Sequence, residues 1–238
     1  MSVYTPHLAP IVVLAFLGTV GLLILCVCVT LIGLLRKSRT VALGGIAAGM
    51  VILAGYVSML LGLSWLSRDV EIPPGAWKYF CEIDCHIAYA IGGMQVATSV
   101  GPEMQPVSAN GRFAIVQVKT WFDPRTISSR RGDAPLTPNG RAMTLLDDRG
   151  RRFVPSAKSE SVLAAASLPS VPLRTALRPG DSYRSYVVFE IPDDAKGLKL
   201  LLTSSEEEGA LIWGHENSPW HRKAYFRLPQ PERNLVTN

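Results

Sequence analysis

Cys81, Cys85 and His86, in the run CEIDCH (81–86), place two thiols and an imidazole beside the carboxylates of Glu82 and Asp84. Two thiolates and an imidazole form a donor set for zinc or Cu(I). The same two thiols are a disulfide candidate if this part of the chain lies in an oxidising compartment. A second run, GHENSPWH (214–221), adds His215, Glu216 and His221, so three of the four histidines fall in these two stretches. If a fold brings the runs together, His215 and His221 complete a metal site with Cys81, Cys85 and His86. The plainer roles are a surface His221 in a turn set by Pro219 and a His215 that orders its loop.

Backbone geometry decides what the cysteines can do together. From 81 to 91 the odd positions are Cys, Ile, Cys, Ile, Tyr and Ile, and the even ones are Glu, Asp, His, Ala and Ala. That is the period of two of a strand. Along a straight strand Cys81 and Cys85 lie about 13 Å apart at ~3.3 Å per residue, beyond the ~7 Å that a disulfide tolerates between Cα atoms. A turn or helical coil over 81–85 shortens the separation to roughly 6 Å. Three states stay open: a Cys81–Cys85 disulfide at a bent strand start, two free buried thiols, or a copper or zinc site.

The elements that must position these residues divide sharply. All 19 acidic residues lie in 69–238, and the first 66 residues carry only Arg36, Lys37 and Arg39 among their charges. Ile11 to Leu35 and Val41 to Leu66 are uncharged runs of 25 and 26 residues. Either exceeds the roughly 20 residues that a helix needs to cross a hydrocarbon core, and both are longer than the apolar segment of a cleaved signal peptide, with no Lys or Arg before position 36. The expectation is a transmembrane helical hairpin over 1–66, with spans at about 11–35 and 41–66. The basic connector RKSRT (36–40) then faces the cytoplasm by the positive-inside rule, so both ends of the hairpin lie outside. Trp65, Trp77 and Tyr79 suit an interfacial aromatic belt. The small residues of Gly45–Gly49, with Gly55, Ser58 and Gly62, fit close helix packing within the hairpin or docking to a larger membrane complex.

After a juxtamembrane linker at 67–80, the remainder (81–238) is long enough for one domain with its own core. Residues 67–238 hold 21 basic residues against 19 acidic ones, nearly neutral, and nothing there implies nucleic acid. In FAIVQVKTWF (113–122), Ala114, Val116, Val118, Thr120 and Phe122 share one face while Gln117 and Lys119 lie on the other. SYRSYVVFEI (182–191) alternates in the same way, and both fit half-buried strands. AMTLLDDRGRRFV (142–154) reads as two short strands joined at Asp148-Arg149-Gly150, and GLKLLL (197–202) and KAYFRL (223–228) add two more. Only Glu160–Ala166 and Ser204–Gly209 read as short helices. With turn signals between these runs, the spacing favours an antiparallel β-sandwich.

The order NGRFAIVQVKTWF, LLDDRGRRFVPS and LRPGDSYRSYVVFEIPDDAKGLKLLL resembles the telokin-like, immunoglobulin-fold domain of unknown function found in bacterial surface and membrane-anchored proteins, over roughly 90–228. The resemblance implies an all-β immunoglobulin-like sandwich with an accessory or binding role, on the extracytoplasmic side of a bacterial cytoplasmic (inner) membrane, and it brings no catalytic residues. The membrane topology is similar to that of cytochrome c oxidase subunit II, whose copper loop also has a Cys-x-x-x-Cys pair. Here Tyr89 and Gly92 stand where that loop has its His and Met, and the pair precedes the β-domain, so the copper site is not carried over.

The stretch 123–152 holds seven arginines against four aspartates. Arg130, Arg131, Asp133, Arg149, Arg151 and Arg152 mark a candidate recognition surface for anionic headgroups or an acidic partner, or a solvated loop face. No nucleophile elbow, phosphate-binding glycine loop or HExxH helix occurs. The expectation is a non-enzymatic, membrane-anchored accessory or binding module whose partners are the lipid bilayer and a membrane or envelope complex, with no cofactor. The alternative is a metal-handling (copper or zinc) or thiol-redox protein using Cys81, Cys85 and His86.

Overall fold

The computed structural model describes residues 3–4, 9–80, 86–102, 104–205 and 207–230. The chain forms two units: His7–Arg68 with Glu207–Lys223, and Met1–Pro6 with Asp69–Glu206 and Ala224–Asn238.

The first unit is built on two helices, α1 (Ala9–Leu35) and α2 (Arg39–Leu66). Both are long and apolar enough to cross a membrane by length and composition. At ~1.5 Å per residue α2 is about 42 Å long, against ~30 Å of hydrocarbon. Lys37 closes the turn between them with a left-handed backbone (φ 54°), and the amides of Lys37 and Ser38 donate to the carbonyls of Leu34 and Gly33. Helix contact depends on the absence of side chains. A Cβ at Gly45 would lie 2.5 Å from Thr30 Oγ1 and 3.0 Å from the Cys26 carbonyl, whereas Gly55 and Gly62 face open space. Part of the small-residue run in α2 therefore serves packing against α1.

Residues 207–223, expected in the β-domain, belong to this helical unit. A 3₁₀ turn at Glu207–Leu211 leads into the His215 loop. The Tyr56 hydroxyl donates to the Leu211 carbonyl at 2.5 Å, and the Trp213 indole N–H donates to the Tyr56 carbonyl at 3.2 Å, with the two rings 4.8 Å apart. The Ser67 hydroxyl accepts from the Arg222 amide. These links join positions about 155 residues apart, which no local pattern announces.

The second unit is a β-sandwich. Its strands are β1 (Val3–Tyr4), β2 (Val70–Ile72), β3 (Trp77–Tyr79), β4 (Ile87–Val100), β5 (Val107–Phe122), β6 (Arg141–Leu146), β7 (Arg152–Phe153), β8 (Ser182–Ile191), β9 (Lys199–Ser204) and β10 (Ala224–Arg227). One sheet has the order β1-β3-β4-β5-β8 and the other β2-β10-β9-β6-β7. The inner face of β5 is the one its alternation marks: Ala114, Val116, Val118 and Phe122 meet Phe189, Leu145, Leu200 and Phe226 in one buried core. On the other face of the first sheet, Phe113, Ile115 and Val188 are covered by Val162 of the short helix α3 (Ser159–Ala165).

Two expectations are corrected. The sheets are mixed and not wholly antiparallel, because β1 runs parallel to β3 and β2 parallel to β10. The stretch 67–80, expected to be a linker, supplies β2 and β3. Strands of two or three residues carry too little periodicity to stand out, and only their long-range partners hold them in place.

Candidate functional site

Cys81 and Cys85, the candidates for a disulfide or a metal site, lie outside the described residues. His86 is described, and it is a buried side chain at the head of β4. Its ring stacks on Phe122 with centroids 5.6 Å apart, and its Nδ1 lies 2.7 Å from Thr126 Oγ1. Its carbonyl accepts from the Asp123 amide. The 3₁₀ turn Pro124–Thr126, with Asp123 as its N-cap, holds this arrangement.

Asp123 is the centre of the surrounding network. Its side chain accepts from the Arg125 backbone amide, from Arg125 Nε (2.9 Å) and Nη2 (2.8 Å), and from the Tyr79 hydroxyl (2.5 Å). The Arg125 hydrogen bond and then the Tyr79 hydroxyl hold the carboxyl at about 2 against the opposing effect of burial. Burial first, and the Asp123 carboxylate second, push the Tyr79 phenol up to about 12. Trp77 and Tyr79, expected in an interfacial belt, both belong to β3 of the sandwich. Trp77 and Trp121 pack with ring centroids 5.3 Å apart.

His215 and His221 lie in the loop of the helical unit. His215 Nδ1 accepts from the Asn217 amide, and its ring rests where a side chain at Gly209 would sit. His221 Nδ1 donates to the Arg222 carbonyl at 2.6 Å, and burial pulls its pKa below the usual histidine value. Among the described residues no group of three or more His, Cys, Asp or Glu side chains is gathered as a metal site.

The arginine-rich stretch is partly neutralised within the fold. Asp147 accepts from Arg151 Nε at 2.6 Å, and Asp194 bridges Arg149 and Arg151 at 2.6 and 2.9 Å. Asp133 pairs with Arg178 at 3.1 Å. Arg131 lies 4.8 Å over the Phe122 ring and donates to the Ala134 carbonyl. Arg130 and Arg152 are exposed with no carboxylate partner among the described residues. Of the six residues marked as a recognition surface, these two and Arg131 carry a charge with no carboxylate partner among the described residues.

No known sequence family matches the chain, and no curated protein matches it. Three solved structures are similar to parts of it. A β-sandwich protein from Clostridium difficile 630, itself uncharacterised, is 10% identical, with a TM-score of 0.38 over 68% of this chain and 96% of that one. The yjhA protein from Bacillus subtilis is 11% identical, with a TM-score of 0.39 over 66% and 99%. A conserved hypothetical protein from Bacillus anthracis is 15% identical, with a TM-score of 0.37 over 49% and 80%.

Proposed function

We propose that the chain is a membrane-anchored accessory or binding module without catalytic activity of its own. Its hairpin crosses a bacterial cytoplasmic membrane, the 36–40 connector faces the cytoplasm, and the sandwich stands on the extracytoplasmic side beside a membrane or envelope complex. The observation that carries this reading is the pairing of Val3–Tyr4 with Trp77–Lys78. Residues before α1 and residues after α2 share one sheet, which requires an even number of membrane crossings between them. Two spans satisfy that, and the basic connector supports the extracytoplasmic side for the sheet.

Other features support it. Leu14, Leu25, Met50 and Val51 are each more than half exposed along the helices, an apolar display that a water-soluble surface rarely carries. Trp65 (84% exposed), Trp220 (75%) and Leu211 (56%) give the helical unit further apolar groups of the kind found at a bilayer interface. Trp220 also holds a left-handed backbone (φ 58°), a strained conformation for a bulky residue. The order of β5, the β6–β7 hairpin and β8 favours a telokin-like, immunoglobulin-type relationship for the sandwich. Asp123 and Glu71 are both held at about 2 by arginine or lysine partners, the opposite of what a general base near neutrality needs.

Metal analysis of the purified full chain tests this against metal handling. The expected result is no stoichiometric zinc or copper in the wild type or in Cys81→Ser/Cys85→Ser. Stoichiometric metal that is lost in the double variant would replace the accessory reading with metal handling.

A further inference from the structure

The outer face of the β3-β4-β5-β8 sheet is covered by α3 at one end only. At the other end Ala88 pairs with Trp121 and Ala90 with Lys119, and across β5 these meet Ser182 and Arg184. Residues in register on neighbouring strands share a face, so Trp121, Lys119, Ser182 and Arg184 line up on that outer face, with Trp77 of β3 beyond the alanines. Two buried alanines leave a depression between larger neighbours. The result is a cleft of about 570 Å³ lined by Trp77, Lys119, Trp121, Ser182, Tyr183 and Arg184. That volume lies within the ~300–1,000 Å³ range of small-molecule sites.

Three groups in this cleft lack partners. Trp77 Nε1 is buried without a hydrogen-bond acceptor, which is costly for a donor inside a fold. Lys119 and Arg184 have no carboxylate partner among the described residues, unlike the paired arginines of 123–152. Among the described residues no carboxylate lines the cleft. Every unsatisfied group is therefore a donor, two of them cationic, and what is missing is an acceptor with negative charge.

The aromatic pair narrows the ligand further. The indoles of Trp77 and Trp121 are inclined at 48° with centroids 5.3 Å apart. A flat ring sandwiched between them would need ~7 Å, two contact distances of ~3.5 Å. The pair is thus a bent shelf and not a slot. A shelf takes one apolar face of a ring whose other face stays in water, which is the character of a pyranose: C–H bonds on one side and hydroxyls around the rim. Aromatic faces also attract the polarised C–H groups of such a ring through their quadrupole.

The geometry points to a binding site for an anionic saccharide, with a pyranose ring on the Trp77–Trp121 shelf and its carboxylate or phosphate held by Lys119 and Arg184. This rests on the reading of the sandwich as a binding module and gives that module a ligand class. Its failure would leave the membrane topology, which a separate measurement tests, untouched.

The test uses the full chain in nanodiscs of neutral phosphatidylcholine, so that anionic lipid does not compete. Tryptophan fluorescence and calorimetry are followed on titration with tri-galacturonate, with maltotriose and inorganic phosphate as comparison arms. Tri-galacturonate is expected to bind saturably, at least tenfold tighter than either maltotriose or phosphate, and more weakly as salt rises. Lys119→Gln/Arg184→Gln should weaken it tenfold or more, while Arg227→Gln, an exposed cation on β10 of the other sheet, leaves it unchanged. No saturable binding of tri-galacturonate, equal binding of either comparison ligand, or unchanged binding by the double variant would overturn the assignment.

Discussion

Gly111→Val is expected to destabilise the sandwich by about 2–5 kcal/mol, and to lower the yield of folded chain sharply. Gly111 has φ +111°, a backbone conformation that side chains of L-residues rarely adopt. A Cβ there would lie 2.5 Å from the Ile191 carbonyl oxygen and 3.2 Å from Pro192 Cα. Both obstacles are backbone, so no rotamer change relieves them. The next residue, Arg112, pairs with Ile191 where β5 meets β8, and Asn110 donates its amide to Glu190 at 2.6 Å. Accommodating valine therefore means separating the end of the central strand pair. Conformational strain contributes ~1–2 kcal/mol and overpacking ~1–3 kcal/mol. Gly132→Ala is the control: its φ is also positive (71°), but nothing lies within 4 Å of the new Cβ, so only the conformational cost of roughly 1 kcal/mol applies. Thermal unfolding of the full chain followed by near-UV circular dichroism distinguishes the two.

Asp123→Ala is expected to cost about 1–3 kcal/mol, because it leaves the buried Tyr79 hydroxyl without its acceptor, while the exposed Arg125 guanidinium turns to water. Tyr79→Phe, which removes one donor and leaves Arg125 paired, should cost about 1 kcal/mol. The pH dependence has a definite sign. The folded Asp123 carboxyl is held at about 2, below its unfolded value of ~3.9. Its contribution is therefore complete above pH ~4 and is lost as pH falls toward 2. Glu71, held at about 2 by Lys199 first and then Arg227, adds to the same acid limb, but its pairs are exposed and their share shrinks with added salt. At the alkaline end the order reverses. Tyr79 is raised to about 12, so its contribution is present below pH ~10 and is lost as pH rises through 12. Urea midpoints from pH 2 to 7 should show a shallower acid slope in Asp123→Asn than in the wild type, and equal slopes would contradict the assignment.

The hairpin, β5, β8, the β6–β7 pair, β9, β10 and α3 are legible in the sequence because each carries a run of apolar residues at a clear period. What escapes it has a common cause. Val3–Tyr4, Val70–Ile72 and Trp77–Tyr79 are too short to show a period, and their partners lie far along the chain. Residues 207–223 look like a loop of the β-domain until Tyr56 is seen hydrogen-bonded to Leu211 and Trp213. The alternation at 81–91 assigns His86 to a polar face, yet it is buried against Phe122. The cleft was half visible: alternation puts Lys119 on the outer face of β5, but Trp77 reads as an interfacial anchor until β3 joins β4. The Asp123 network was hidden because it depends on the turn after β5 meeting β3, 44 residues away from Tyr79.

Labelling of single cysteines by a membrane-impermeant thiol reagent in intact cells tests the central claim most directly. In a background lacking Cys26, Cys28, Cys81 and Cys85, single cysteines are introduced as Ser2→Cys before α1, Ser38→Cys in the connector and Ser99→Cys in β4. Because β1 and β3 share a sheet, Ser2→Cys and Ser99→Cys should both be labelled in intact cells, and Ser38→Cys only after lysis. Labelling of Ser38→Cys in intact cells, or of only one of the other two positions, would contradict a two-span anchor with an extracytoplasmic sandwich.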